Sequence, residues 1–264
     1  MKGAIIGDVV GSIYEFDNLK SKDFELFNPE CEFTDDSVLT IAVAEALLKH
    51  NPENETEFKE NLIDIFHKYG ELYSDVGYGG HYLSWVENKR RNPYNSCGNG
   101  SAMRTSAVGW YAKSIEECEK LAKLCAEVTH NHPDGIAGAQ ATAGVIFLAR
   151  NGASKDELKA YMEKYYPVDF TIDKIRPTYE YEIINKTTVP QAFQCFYEAT
   201  DFEDCIRNAI SIGGDSDTIA AIAGSMAEAF FGIPADTVET GMSYLDDYMS
   251  EIIEEFYEII VKST

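Results

Sequence analysis

Apolar residues recur along most of the chain at the three-and-four spacing of one helical face. From Ser37 to Lys49, the residues Val38, Ile41, Ala42, Ala44, Leu47 and Leu48 fall on one broad face. Phe58, Leu62, Ile65, Phe66 and Tyr69 make a second stripe over 56–69. The same spacing predicts helices over about 79–88, 102–112, 115–128, 134–150, 154–164, 189–199, 202–211, 217–231 and 235–261, the last breaking near Gly241. Segments 133–150 and 217–231 are rich in Ala and Gly and poor in charge, which suits helices packed backbone-close at the centre. Strand patterns are scarce. Residues 176–184 (RPTYEYEII) read as a short strand or an extended excursion, and nothing repeats as strand–helix units. The expectation is a single all-α domain over 1–264, with long loops near 17–35, 70–78, 89–101 and 165–188 to carry a site.

Composition narrows the function. The 264 residues are 45% hydrophobic and 12% aromatic, enough for a sizeable core and incompatible with global disorder. Lys and Arg number 22 against 45 Asp and Glu, a net charge of −23, which argues against nucleic acid and anionic membrane as partners. No run reaches the roughly 18 apolar residues of a membrane span. The apolar start carries Asp8 and lacks a long apolar run, so a signal peptide is not expected. Six cysteines without CxxC spacing suit reduced thiols, and a cytoplasmic setting is expected.

Five constellations carry candidate chemistry. Thr34-Asp35-Asp36-Ser37 opens a strong helix. Helix capping accounts for one such residue, but two adjacent carboxylates plus a hydroxyl also match the oxygen ligands of Mg²⁺ or Mn²⁺. Gly213-Gly214-Asp215-Ser216-Asp217-Thr218 repeats the design at another helix start about 180 residues later. Carboxylates from both segments, brought together, would repel unless a cation neutralised them. Gly3, Gly7 and Gly11 lie four apart, either a small-residue packing seam or a ligand loop, although the GxGxxG spacing is missing. Glu15 follows and is a candidate acid or base. Ser96-Cys97-Gly98-Asn99-Gly100-Ser101 reads either as a plain turn or as a loop whose backbone N–H groups meet a diphosphate. His130 and His132 are two apart and share no helix face, which argues against zinc and leaves His130 to line a cleft.

Together these blocks resemble the ADP-ribosylglycohydrolase family. The matching stretches are GAIIGDVVGSIYEF at 3–16, FTDDS at 33–37, GNGSAMR at 98–104, TH at 129–130 and GGDSDT at 213–218. The resemblance implies an orthogonal all-α bundle with two Mg²⁺ or Mn²⁺ ions at the bottom of an ADP-ribose cleft. By matching position it makes Thr34, Asp35, Asp36, Asp215, Asp217 and Thr218 the metal ligands, and Glu15 the acidic residue of a mobile flap. It puts Ser96, Gly98, Asn99, Gly100 and Ser101 around the diphosphate and proximal ribose, with His130 lining the cleft. The implied reaction is hydrolysis of the bond between ADP-ribose and an acceptor on a protein or small molecule, arginine or another guanidine, with Glu15 or Asp36 moving the proton. Serine-linked ADP-ribose, O-acetyl-ADP-ribose and a non-catalytic crystallin-like binder are the alternatives.

Overall fold

The computed structural model describes residues 1–262, and among them stand fifteen α-helices and no β-strand. In chain order they are α1 (Lys2–Gly11), α2 (Asp35–Lys49), α3 (Glu55–Leu72), α4 (Gly80–Glu87), α5 (Gly100–Met103), α6 (Ser106–Tyr111), α7 (Ile115–Glu127), α8 (Pro133–Arg150), α9 (Lys155–Met162), α10 (Ile172–Ile175), α11 (Asn185–Glu198), α12 (Phe202–Ile212), α13 (Ser216–Phe231), α14 (Ala235–Met242) and α15 (Asp247–Phe256). Side-chain caps start many of them. Thr34, Asn54, Ser114, Ser154, Asp201 and Asp246 each accept a backbone N–H of the first turn.

The centre is α1 laid along α13. The glycine spacing of α1 is the packing seam: a Cβ on Gly7 would lie 2.1 Å from Ala220 O, and one on Gly3 2.2 Å from Gly224 O. Only hydrogen fits between these backbones, so the two axes approach closely. Gly11 meets the Cα of Asp217 in the same way, which ties the end of α1 to the start of α13. The Ala-rich α8 packs against α13, α7 and α6, as its low charge suggested. The six cysteines are all unpaired thiols. No helix of the described residues is long and apolar enough to cross a membrane.

Four boundaries differ from the periodicity. The stretch 102–112 is broken between α5 and α6, because Arg104 turns inward and donates to Cys125 O and Thr129 Oγ1 over the Phe66 ring. The chain after 235 breaks at 243–246, just beyond the expected point near Gly241. Asp246 caps the new helix there, whereas Gly241 sits inside α14 against Ile6. Helix α11 begins at Asn185, four residues before the periodic stretch, and α10 forms inside the expected 165–188 loop. Residues 176–184 form no strand. Their end runs extended, with one antiparallel bridge between Gly98 and Ile184.

Candidate active site

Helices α2 and α13 point their N-termini at each other beneath a cleft of about 420 Å³. The cleft is lined by Glu15, Asp35, Asp36, Asp215, Asp217 and Thr218 at the floor. Ser96, Gly98, Asn99, Gly100 and His130 line it as well, together with Tyr94, Tyr181 and Ile183. The two acidic segments of the sequence therefore meet. Thr218 Oγ1 donates to Asp36 Oδ2 at 2.9 Å, and Asn99 Nδ2 donates to Asp215 Oδ2 at 2.6 Å. The left-handed backbone of Gly213 (φ 67°) and Gly214 (φ 81°) makes the sharp entry to α13. Asn18 clamps that turn from both sides, donating to Gly214 O and accepting from Gly214 N.

One carboxylate of the cluster was missed as a site residue. Asp8, buried in α1, accepts from Thr34 N at 2.9 Å, Thr34 Oγ1 at 2.6 Å and Ser37 N at 3.0 Å, and from the Ser37 hydroxyl. It caps α2 from another helix, and its oxygens are occupied by these donors. The signal was present in the sequence: one aspartate stands inside an otherwise apolar, glycine-spaced helix.

The electrostatics are those of crowded like charges. Burial pushes the Asp35, Asp36 and Asp217 carboxyls well above the usual carboxylate range, and their acidic neighbours push them further. Asp8, Glu15 and Asp215 are raised in the same direction, again chiefly by burial. Of the residues lining the cleft, only Arg104 is a lysine or arginine, and its Nη2 donates to Cys125 O and Thr129 Oγ1.

The donor set fits divalent cations. Oxygens of Asp8, Asp36 and Asp217 lie within 4.8 Å of one another, and so do oxygens of Glu15, Asp215 and Asp217. The two groups share Asp217. Asp36 Oδ1 is buried without a hydrogen-bond partner, an acceptor facing hard-cation chemistry.

Two expected site residues stand apart from the cleft wall. The Thr34 hydroxyl is turned to Asp8. The Ser101 hydroxyl donates to Gly135 O at 2.7 Å and accepts from Asn185. Within the glycine loop, Gly98 N is held by Ser96 Oγ and Asn99 N by Ile183 O, so these two amides are already engaged. Burial first and Arg104 second push the His130 imidazole well below the usual value. Its Nε2 would lie 3.2 Å from a Cβ on Gly100, so the bare loop is what lets the ring approach.

Comparison with known proteins bears on what this cleft is for. The sequence model of the ADP-ribosylglycohydrolase family matches residues 1–262. The chain belongs to the ADP-ribosylglycohydrolase family. Hydrolysis of a glycosidic bond to ADP-ribose is the reaction class that goes with it. The mouse ADP-ribosylhydrolase ARH3 is 26% identical, over 88% of this chain and 83% of its own length. An ADP-ribosylarginine hydrolase, Tri1 of Serratia proteamaculans, is 25% identical over 87% of this chain and 70% of its own. An ADP-ribosylglycohydrolase-related protein complex shares the fold with a TM-score of 0.70 at 21% identity, over 97% of this chain and 95% of that one.

Proposed function

We propose that this ADP-ribosylglycohydrolase family member cleaves the bond between the anomeric carbon of ADP-ribose and a guanidine nitrogen, with arginine as the acceptor and ADP-ribose as a product. The observation that carries the reading is the meeting of two buried acidic helix starts, α2 and α13, beneath a cleft whose other wall is the Gly98–Gly100 loop. Two divalent cations, Mg²⁺ or Mn²⁺, held among Asp35, Asp36, Asp215, Asp217 and Thr218, with Thr34 joining them only if its hydroxyl turns from Asp8, would neutralise the cluster and supply Lewis acidity toward water and ribose hydroxyls.

The chain's own groups do the rest. Asp36 or Glu15 takes the proton from the attacking water and passes it to the leaving guanidine nitrogen as the bond from that nitrogen to the anomeric carbon breaks. The Gly100 and Ser101 amides, with Ser96, Gly98, Asn99 and His130 around them, hold the diphosphate end. Asn99 also fixes Asp215. Arginine as acceptor is supported by the name of the Serratia relative.

The test is a turnover panel of ADP-ribosyl-arginine, ADP-ribosyl-serine peptide and O-acetyl-ADP-ribose with Mg²⁺ or Mn²⁺. Release of intact ADP-ribose, fastest from the arginine conjugate, is expected. Formation of AMP instead would show cleavage of the diphosphate. Binding of ADP-ribose with no turnover of any conjugate would leave a binding protein.

A further inference from the structure

Resting on the hydrolase reading above, we propose that Tyr181 is a positioning residue: its hydroxyl, braced by a stack on Phe16, fixes the direction of the Glu15 carboxylate in the cleft. Tyr181 donates to Glu15 Oε1 at 2.9 Å across 166 positions of sequence. The Tyr181 and Phe16 rings stack with centroids 6.2 Å apart and planes 24° from parallel. Phe16 is 85% exposed and Tyr181 47% exposed, so core burial does not account for either ring.

Glu15 needs such a brace. It follows the short 3-10 turn Ser12–Tyr14 and precedes a stretch without helix, so no neighbouring turn restrains its side chain. Among the described residues the Tyr181 phenol makes the one hydrogen bond to its carboxylate. A phenol orients a carboxylate without cancelling its charge, as a lysine or arginine would. A carboxylate oxygen of Glu15 lies within 4.8 Å of oxygens of Asp215 and Asp217, so the direction of this side chain matters to the cluster.

The two arms that carry the pair are fastened at their base. Lys20 Nζ donates to Tyr179 O at 2.6 Å and also to Ile212 O, while Asn18 grips Gly214. The 15–20 and 179–184 arms thus share one foundation, the turn into α13, and meet again at their tips through Glu15, Phe16 and Tyr181. Residues 176–184, which match no motif, find their use here.

Tyr181→Phe keeps the ring and its stack and removes only the hydroxyl. With the conjugate that the wild type hydrolyses, kcat should fall about tenfold, the worth of one hydrogen bond to a charged group, with KM within about twofold. In a Glu15→Gln background the same change should cost nothing further in kcat, because the group it positions is already disabled. A kcat for Tyr181→Phe within about twofold of wild type overturns the assignment, and so does an equal loss in both backgrounds. Hydrogen exchange reads the brace without turnover: amides of 13–20 should exchange about threefold faster or more in Tyr181→Phe, while those of 205–225 stay unchanged. Unaltered exchange at 13–20 overturns the proposal. A wild type inert on every conjugate would sink the hydrolase reading instead, and the exchange result would still decide the brace.

Discussion

Thr218 Oγ1 donates to Asp36 Oδ2 at 2.9 Å, and this bond joins two helix N-termini 182 residues apart. It occupies one oxygen of Asp36 and leaves Oδ1 buried and unpartnered. The positive ends of α2 and α13 offset part of the negative charge gathered between them, but a helix end is worth only about 0.3–1 kcal/mol. Several buried carboxylates need more than that, which is the physical case for cations at this floor.

Mg²⁺ or Mn²⁺ is therefore expected to raise the melting temperature. Ligand at a hundredfold excess over its Kd adds about 2.7 kcal/mol, which for a chain of this size is roughly 5–10 °C. Asp36→Asn should lose most of that shift. Calorimetric scans with EDTA and with saturating Mg²⁺ compare the two proteins, and an equal shift in both would remove Asp36 from the cation site.

Asp35→Asn and Asp217→Asn are each expected to abolish turnover while raising the melting temperature of the EDTA-treated protein by a few degrees. The sign follows from the raised carboxyls. A group whose folded value lies above its unfolded value costs stability as pH rises through the folded value and it ionises. The gain should accordingly be larger at pH 8 than at pH 5. A fall in apo stability at pH 8 would mean that hydrogen bonding outweighs repulsion in the cluster.

Glu15→Gln keeps size and can still accept from Tyr181, but it cannot take a proton. A fall in kcat of about 10²–10⁴ is expected, with ADP-ribose affinity by calorimetry changed much less. A loss under about threefold would pass the proton-transfer role to Asp36.

Away from the cleft, Glu45 binds three helices together. Its carboxylate accepts from Lys49 at 2.7 Å, Lys68 at 3.0 Å, Tyr69 at 2.6 Å and Tyr248 at 2.8 Å. Burial opposes its ionisation, but these four donors prevail and bring it down to about 2. The stabilisation is complete above the ordinary value of 4.5 and fades as pH falls toward about 2. Glu45→Ala should cost about 1.5–3 kcal/mol at pH 7 by urea unfolding and distinctly less at pH 3. An undiminished cost at pH 3 would point to packing rather than charge.

Gly7→Ala tests the seam. In an exposed helix this change gains about 1 kcal/mol. Here the added carbon meets Ala220 O at 2.1 Å, so a loss of about 1–3 kcal/mol or more is expected. A neutral outcome would show that α1 and α13 can part without cost.

Helix periodicity, the cap at the Thr34–Asp36 helix start, the Gly3-Gly7-Gly11 spacing and the two acidic helix starts were all legible in the residues, because each depends on interactions within a few positions of chain. Long-range placement was not. That α2 and α13 oppose each other, so that Thr218 reaches Asp36, depends on how closely α1 lets α13 approach. Asp8 read as part of a glycine block and became the buried cap of another helix. Arg104 broke an apparently continuous helix because its guanidinium found Cys125 O and Thr129 in the interior. Tyr181 looked like part of a possible strand and instead holds Glu15. In each case a polar side chain leaving water must find its partner wherever packing puts one, and packing is settled by the whole chain at once.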